Sequence, residues 1–494
     1  MFFKKIKESK NIPPNMIFEQ FEKSNDFITF ENKIGQTSYF ISYFKSLIDL
    51  EVLHRDILPY INEAALKNLE TLSLAIPCEN KIISNDNGEI SSTVLAGSIM
   101  IYIERNEPRQ FLLIQAAKNE VRQISIPEVE YSVVGPKEAF VESIDTNINL
   151  IRKRIPSPNL RITNLQVGNI SNTTVSILHI EGIANSENVN TVVQRIREIE
   201  FDQIIDSSYI TQIIADNHNS PFPGLLDTER PDRAAAVLAE GKIIIVVDGS
   251  PHVLIGPTTV IEFFSSFEDY FLNPHIASIF RLIRVFSVAF SLLITPIYVA
   301  VLTHHFELIP KDLMSTLVTS RAQVPFPPFL EALVLELVIE LLREAGARLP
   351  TKIGQTIGIV GGIVIGTASV EAGLTSNILL IIIALAALAS FTTPVYQMGN
   401  TIRLLRFPFL LFAHVWGLVG IVLCFSFFLT HLLRLTSLGR PYLEPLYPPR
   451  VADLKDSFIR MPFVNQSKRP IEVQAEKGSR FSEVKAFKNK DIDE

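Results

Sequence analysis

Hydrophobic and polar positions divide the chain into two unlike halves. Through residues 1–281 polar side chains interrupt the apolar ones at short intervals, whereas residues 282–430 carry apolar runs near the span length of a bilayer. In the first half, FITF at 27–30 and TSYFISYF at 37–44 read as extended chain, 48–61 as a helix, and 92–104 and 110–115 as strands. They predict a first α/β subdomain over 27–140, behind a flexible tail over 1–26. Residues 140–154 have helical spacing, with Ile144, Ile148 and Ile151 on one side, until Pro156 and Pro158 stop the helix. Arg152, Lys153 and Arg154 occupy its last turn, where the helix dipole favours cations; they read either as a solvated helix end or as a site for an acidic ligand. A strand at 172–181 and helices at 188–199 and 207–214 follow. Asp232 starts another helix that Gly241 ends, 242–247 is a buried strand, and Asp248-Gly249 turns into 251–255. This second α/β subdomain covers 141–270.

The second half predicts an all-α polytopic membrane domain over 271–436, so the fold class is an α+β N-terminal half followed by a membrane bundle. Residues 282–302, 353–370, 377–396 and 407–429 are each long and apolar enough to cross. Thr392, Thr393 and Pro394 predict a local bend, because proline removes a helical hydrogen bond. Residues 325–342 carry Glu331, Glu336 and Glu340; at roughly 2.5–3.5 kcal/mol each, these carboxylates outweigh about eleven apolar side chains at roughly half a kcal/mol. We therefore expect four crossings plus a re-entrant or amphipathic helix, with a cytoplasmic tail over 437–494. Positive-inside arithmetic divides between four and five crossings.

The stretch 324–370 concentrates the candidate chemistry. Glu336, Glu340 and Glu344 stand four apart on one helical face, and Glu371 follows the next helix; repeated by symmetry, these carboxylates would ring a cation path. Pairing with Arg343, Arg348 and Lys352 is the alternative. Gly354, Gly358, Gly361, Gly362 and Gly366 admit close backbone approach, either within one subunit or at a pore-lining seam. His414 lies inside an apolar run and reads as bonded to another helix or as a proton relay.

Charge and motif content narrow the function class. With 45 Lys and Arg against 52 Asp and Glu, the net charge is −7, and no basic patch with interleaved aromatics marks a nucleic-acid platform. Cys78 and Cys424 lie in different halves, and no Cys/His spacing marks zinc. The basic N-terminus lacks a following apolar core, so it is not a secretory signal. Thr228, Glu229, Arg230, Pro231 and Asp232 form a charged motif; with Arg233 it is either an active-site cluster or a self-bonded helix start, and no nucleophile with a paired base accompanies it. No phosphate-binding loop, dinucleotide fingerprint or hydrolase elbow occurs, so no enzyme and no cofactor are expected. A transporter would show inverted repeats with paired broken helices, and none is found in the membrane half. A membrane-anchored scaffold that recruits partners is the remaining alternative.

Long ordered motifs then carry a family resemblance. TERPD (228–232), LAEGKIIIVVDGSP (238–251), FEDYF (267–271), VPFPPFLEALVLELVIELLREAGARLP (324–350), KIGQTIGIVGGIVIGTASVEAGL (352–374), RLLRF (403–407) and LGRPYLEP (438–445) resemble the A subunit of spore germination nutrient receptors of the GerA type. EVEYSVVGPKEAFVESIDTNINLIRKRI (128–155) is similar to the same family's N-terminal domain. The sequence departs from the family pattern at Ala139, Thr367, Ala368 and Ser369, all small residues. The resemblance implies a multi-pass protein of the endospore inner membrane with its N-terminal domain in the cytoplasm or spore core. It also implies a permease-like B subunit and a lipoprotein C subunit as partners, and self-association as a pentamer forming a nutrient-gated cation channel.

Overall fold

The computed structural model describes residues 16–78, 80–104, 110–118, 127, 130, 133–349, 362 and 366–481. Helix α1 (Met16–Glu22) buries Phe18 and Phe21 against Phe27 and Phe44, so ordered structure begins inside the expected tail. Strands β1 (Phe27–Ile34) and β2 (Thr37–Phe44) form a hairpin turning at Gly35, whose φ is +62°. After α2 (Leu69–Ala75) come β3 (Lys81–Ser84), α3 (Asn87–Leu95), β4 (Ser98–Ile103) and β5 (Phe111–Gln115). The expected strand at 92–104 is split. Asp86 accepts hydrogen bonds from the Gly88 and Glu89 amides and caps α3, which ends before Gly97 (φ +94°) turns the chain into β4. The expected helix at 48–61 is instead a series of short helical turns.

The second subdomain begins with α4 (Ile144–Arg154), capped by Ser143, and continues through β6 (Leu160–Val167), β7 (Thr173–Ile180), α5 (Ser186–Arg197) and α6 (Ser207–Ile213). Strand β8 (Leu226–Thr228), α7 (Pro231–Glu240), β9 (Ile243–Val247) and β10 (Val253–Gly256) complete it. Both subdomains are five-stranded antiparallel sheets, ordered β1-β2-β4-β5-β3 and β6-β7-β9-β10-β8. Counted from its own first strand, each sheet has the same order, so the N-terminal half is an α+β structure built twice on one topology. The unbroken apolar run of β9 has a packing reason. Ile244 and Val246 face the core under α4 and α7, while Ile243, Ile245 and Val247 face the core under α5 and α6.

A buried ion pair joins the two subdomains. Arg152 of α4 donates through Nε and Nη2 to the Asp26 carboxylate, both at 2.6 Å, with the side chains 1% and 6% exposed. Ser24 and Ser46 also donate to Asp26, and the guanidinium stacks on Phe44. Arg152 is thus neither solvated nor free for an acidic ligand, because chain folding brings Asp26 to it from the other subdomain.

The helical half comprises α8 (Pro274–His304), α9 (Lys311–Arg321), α10 (Pro328–Arg348), a short helix at Gly366–Glu371, α11 (Asn377–Ser390) and α12 (Tyr396–Arg434). Helices α8 and α12 are long and apolar enough to cross a membrane, and large side chains such as Phe286, Val419 and Phe427 stand exposed on them. Yet α12 is not straight. Gly417 has φ +61°, Phe409 stacks on Phe428 with ring centroids 5.7 Å apart, and Val395 and Leu435 join the same core, so the helix doubles back at Gly417. Its arms, 396–416 and 418–434, are about 30 and 25 Å long at 1.5 Å per residue. The expected single span at 407–429 is therefore corrected to parts of two antiparallel arms.

Helix α10 also departs from the expected re-entrant or surface helix at 325–342. Phe329 stacks on His414 beside the Gly417 turn, and Arg343 reaches Ser390 at the other end, so α10 runs the length of the bundle. Partner charges make this position tolerable. The expected span at 353–370 lies largely outside the described residues. Within the segment expected as a cytoplasmic tail, 437–481 is folded: Tyr442 is fully buried, and α13 (Val451–Ser457) with the chain beyond it packs on the second subdomain.

Candidate functional site

The acidic helix α10 starts at Pro328, whose missing amide costs nothing in the first turn. Its carboxylates meet partners contributed by three other helical segments. Glu336 accepts from Arg406 Nη1 at 2.5 Å and from Thr295 at 3.0 Å, and Arg406 donates onward to Ser291 at 2.7 Å. Helices α8, α10 and α12 are thereby tied at one buried point. Glu331 accepts from the Ser376 amide at 2.6 Å and from Thr375 at 3.1 Å, with Arg321 of α9 at 3.4 Å. Removing any of these carboxylates would strand a cation or polar donor away from water.

Exposure rises along the acidic face. Glu340 is 43% exposed and lies between Arg343 at 3.4 Å and Arg403 at 3.5 Å; Glu344 is 59% exposed and pairs with Arg348 at 2.6 Å. Glu371 is exposed. Glu344 and Glu340 pair with Arg348 and Arg343, two of the partners the sequence offers as the alternative to a ring, whereas Glu336 pairs with Arg406 of the RLLRF motif. An arginine inside one apolar run, to be matched to one of the carboxylates inside another, is the available signal. A Cβ at Gly362 would meet nothing within 4 Å, and one at Gly366 would touch Leu380 at 3.6 Å. Among the described residues, Gly362 has no close neighbour, and Gly366 is buried against Leu380 at ordinary van der Waals distance. Gly354, Gly358 and Gly361 lie outside the described residues.

The TERPD motif forms a self-bonded helix start. Arg230 donates to both oxygens of Asp232 at 3.1 and 2.6 Å, its amide donates to Thr228, and its guanidinium lies over Phe267 and Phe271. Thr228 donates to Glu130, which also accepts from Arg233 at 2.5 Å, and Glu229 faces His252 at 3.6 Å. Pro231 occupies the first turn of α7.

Adjacent to this motif the soluble half meets the bundle. Asp227, whose carboxyl is raised by burial, accepts from Gln397 at 3.1 Å; Thr401 donates to the Pro221 carbonyl at 2.5 Å; and Ser220 lies 3.0 Å from His431. Arg281 and Arg284 of α8 converge on Asp269 at 3.0 and 3.1 Å. One apolar core runs from the β-sheet through Val395, Met398, Ile402, Leu405 and Leu435. At the opposite end His304 donates to the His414 carbonyl at 2.7 Å, close to Gly417.

Antiparallel sheets covered by helices on both faces, keyed to an apolar helical bundle with internal ion pairs, define a bipartite membrane protein. The chain belongs to the Bacillus/Clostridium GerA spore germination protein family, whose family model matches residues 15–472. It is 52% identical to spore germination protein GerQA of Bacillus cereus, over 98% of each chain. It is 48% identical to GerIA of Bacillus cereus, over 93% of this chain and 69% of that one, and 36% identical to spore germination protein KA of Bacillus subtilis, over 92% and 84%. The crystal structure of the N-terminal domain of the A subunit of the Bacillus megaterium spore germinant receptor GerK3 is similar to 49% of this chain and 92% of that one, at 28% identity and a TM-score of 0.38.

Proposed function

We propose that this chain is the A subunit of a bacterial spore germinant receptor, acting with a permease-like B subunit and a lipoprotein C subunit in the endospore inner membrane. Several copies, as a pentamer, enclose a nutrient-gated cation path, with the α+β half in the cytoplasm or spore core. The observation that carries this reading is the continuity between the halves: both ends of the α12 hairpin are built into the core of the second subdomain, at Val395 and Leu435. A shift imposed on one half is therefore felt by the other.

Within one copy Glu336 is neutralised by Arg406, so a hydrated path runs between copies. Glu340, Glu344 and Glu371 remain to attract cations, and the glycine segment from Gly354 to Gly366 forms the seam. The test is ion-flux recording after reconstitution with the B and C subunits. Nutrient-dependent potassium conductance is the expected result, and a fully assembled receptor that passes no cations overturns the channel.

A further inference from the structure

A cavity of about 690 Å³ lies between the second subdomain and the C-terminal segment. That volume is in the roughly 300–1,000 Å³ range of small-molecule sites. Leu226, Val237, Ile261, Phe267 and Met461 supply an apolar wall, and charged groups cluster along the segment that closes it.

The lining holds five cations, Arg233, Lys242, Lys468, Arg469 and Arg480, and five carboxyl groups, of which all but one have a donor. Glu240 takes Arg480 at 2.8 Å, and Asp456 takes the Tyr270 hydroxyl at 2.8 Å together with Arg281. Glu262 takes Lys242 through one oxygen and the Thr259 amide and hydroxyl through the other. Asp453 accepts from the amides of Ile471 and Glu472 at 3.0 and 3.3 Å. Among the described residues, Glu472 is the carboxyl of this lining that receives no hydrogen bond or ion pair.

We propose that this cavity binds an organic ammonium ion, its apolar body against the Leu226–Phe267 wall and its charged head on the Glu472 carboxylate. Burial, with the neighbouring Glu262, Asp453 and Glu240 charges, pushes that carboxyl up to about 8 despite Lys242. Without a ligand the group keeps its proton at neutral pH; an arriving ammonium replaces that proton, which leaves to solvent. The site is separate from the proposed ion path and does not depend on it.

The experiment is calorimetric titration of the full-length chain in detergent with n-butylammonium, n-butanol and butyrate, near pH 7 in two buffers of different ionisation enthalpy. Expected are saturable binding of n-butylammonium, release of up to one proton per ligand, and at least tenfold weaker binding in Glu472→Gln. Ala236→Trp, which puts an indole into the cavity from the α7 side and leaves Glu472 in place, abolishes binding as well. Absence of saturable binding, equal binding of n-butanol, or unchanged affinity in a folded Glu472→Gln chain overturns the proposal.

Discussion

Glu336 on α10 and Arg406 on α12, seventy positions apart in sequence, meet at 2.5 Å in the middle of the helical bundle, each about 5% exposed. Of the two readings the sequence leaves open for Glu336, a carboxylate ring or an ion pair, a single chain forms an ion pair, with an arginine from a different helix than the ones the sequence offers. Breaking one side of such a pair strands its partner, typically at a cost of about 3–5 kcal/mol. Glu336→Gln and Arg406→Gln are each expected to lower receptor abundance in spore membranes several-fold, and the double variant to recover part of the loss. Immunoblotting checks this; normal abundance of both single variants would show that the pair contributes little.

Glu340→Gln tests a different property. Glu340 is half exposed and shared between Arg343 and Arg403, so its loss leaves abundance within about twofold while reducing potassium efflux on nutrient addition. Unchanged efflux at normal abundance removes Glu340 from the ion path.

The hairpin turn makes a sharper prediction. Gly417 sits at φ +61°, and a Cβ there would come within 2.7 Å of His305 Nε2; at Gly420 it would run into the Phe412 carbonyl. Gly417→Ala and Gly420→Ala should each abolish the folded receptor, whereas Gly362→Leu, which meets open space in one chain, should fold and fail to assemble or gate. Monodispersity in detergent separates the outcomes.

The subdomain latch has a defined pH dependence. Burial alone would raise the Asp26 carboxyl, but the Arg152 charge and the hydrogen bonds from Arg152, Ser24 and Ser46 outweigh it and hold it below the usual carboxylate range. Its stabilisation is thus complete above the unfolded carboxylate pKa, near 4, and is lost as pH falls through the lower folded value. Asp26→Asn should unfold at lower temperature at pH 7 and lose less stability on acidification than the parent chain. Parallel acid profiles would contradict the latch.

Glu472 has the opposite sign. Its folded value, about 8, lies above the unfolded one, so docking of the C-terminal segment is strongest below the ordinary glutamate pKa and weakens as pH rises towards and through 8. Hydrogen exchange across 466–480 should be faster at pH 9 than at pH 6, and Glu472→Gln should flatten that change beyond the chemical exchange rate's own pH dependence.

Much of this architecture was legible because it is local. Alternation placed β1, β2 and β5; Pro156, Gly241 and the Asp248-Gly249 turn placed element ends, since proline stops and positive φ are properties of a few adjacent residues, whereas the Ser143 cap that starts α4 three residues after 140 emerged only in the structure. The family motifs identified the class for the same reason. Strand β8 escaped notice, having three residues and a pattern completed by a distant partner, β10.

By itself the sequence determined a polar α+β half, an apolar helical half and an inventory of costly charges that had to be paired. The tertiary structure alone decided the pairing: Asp26 with Arg152, Glu336 with Arg406, and an apolar run folded back on itself at Gly417. Desolvation penalties are written into a residue's identity, whereas the partner that offsets them is chosen by where the chain returns.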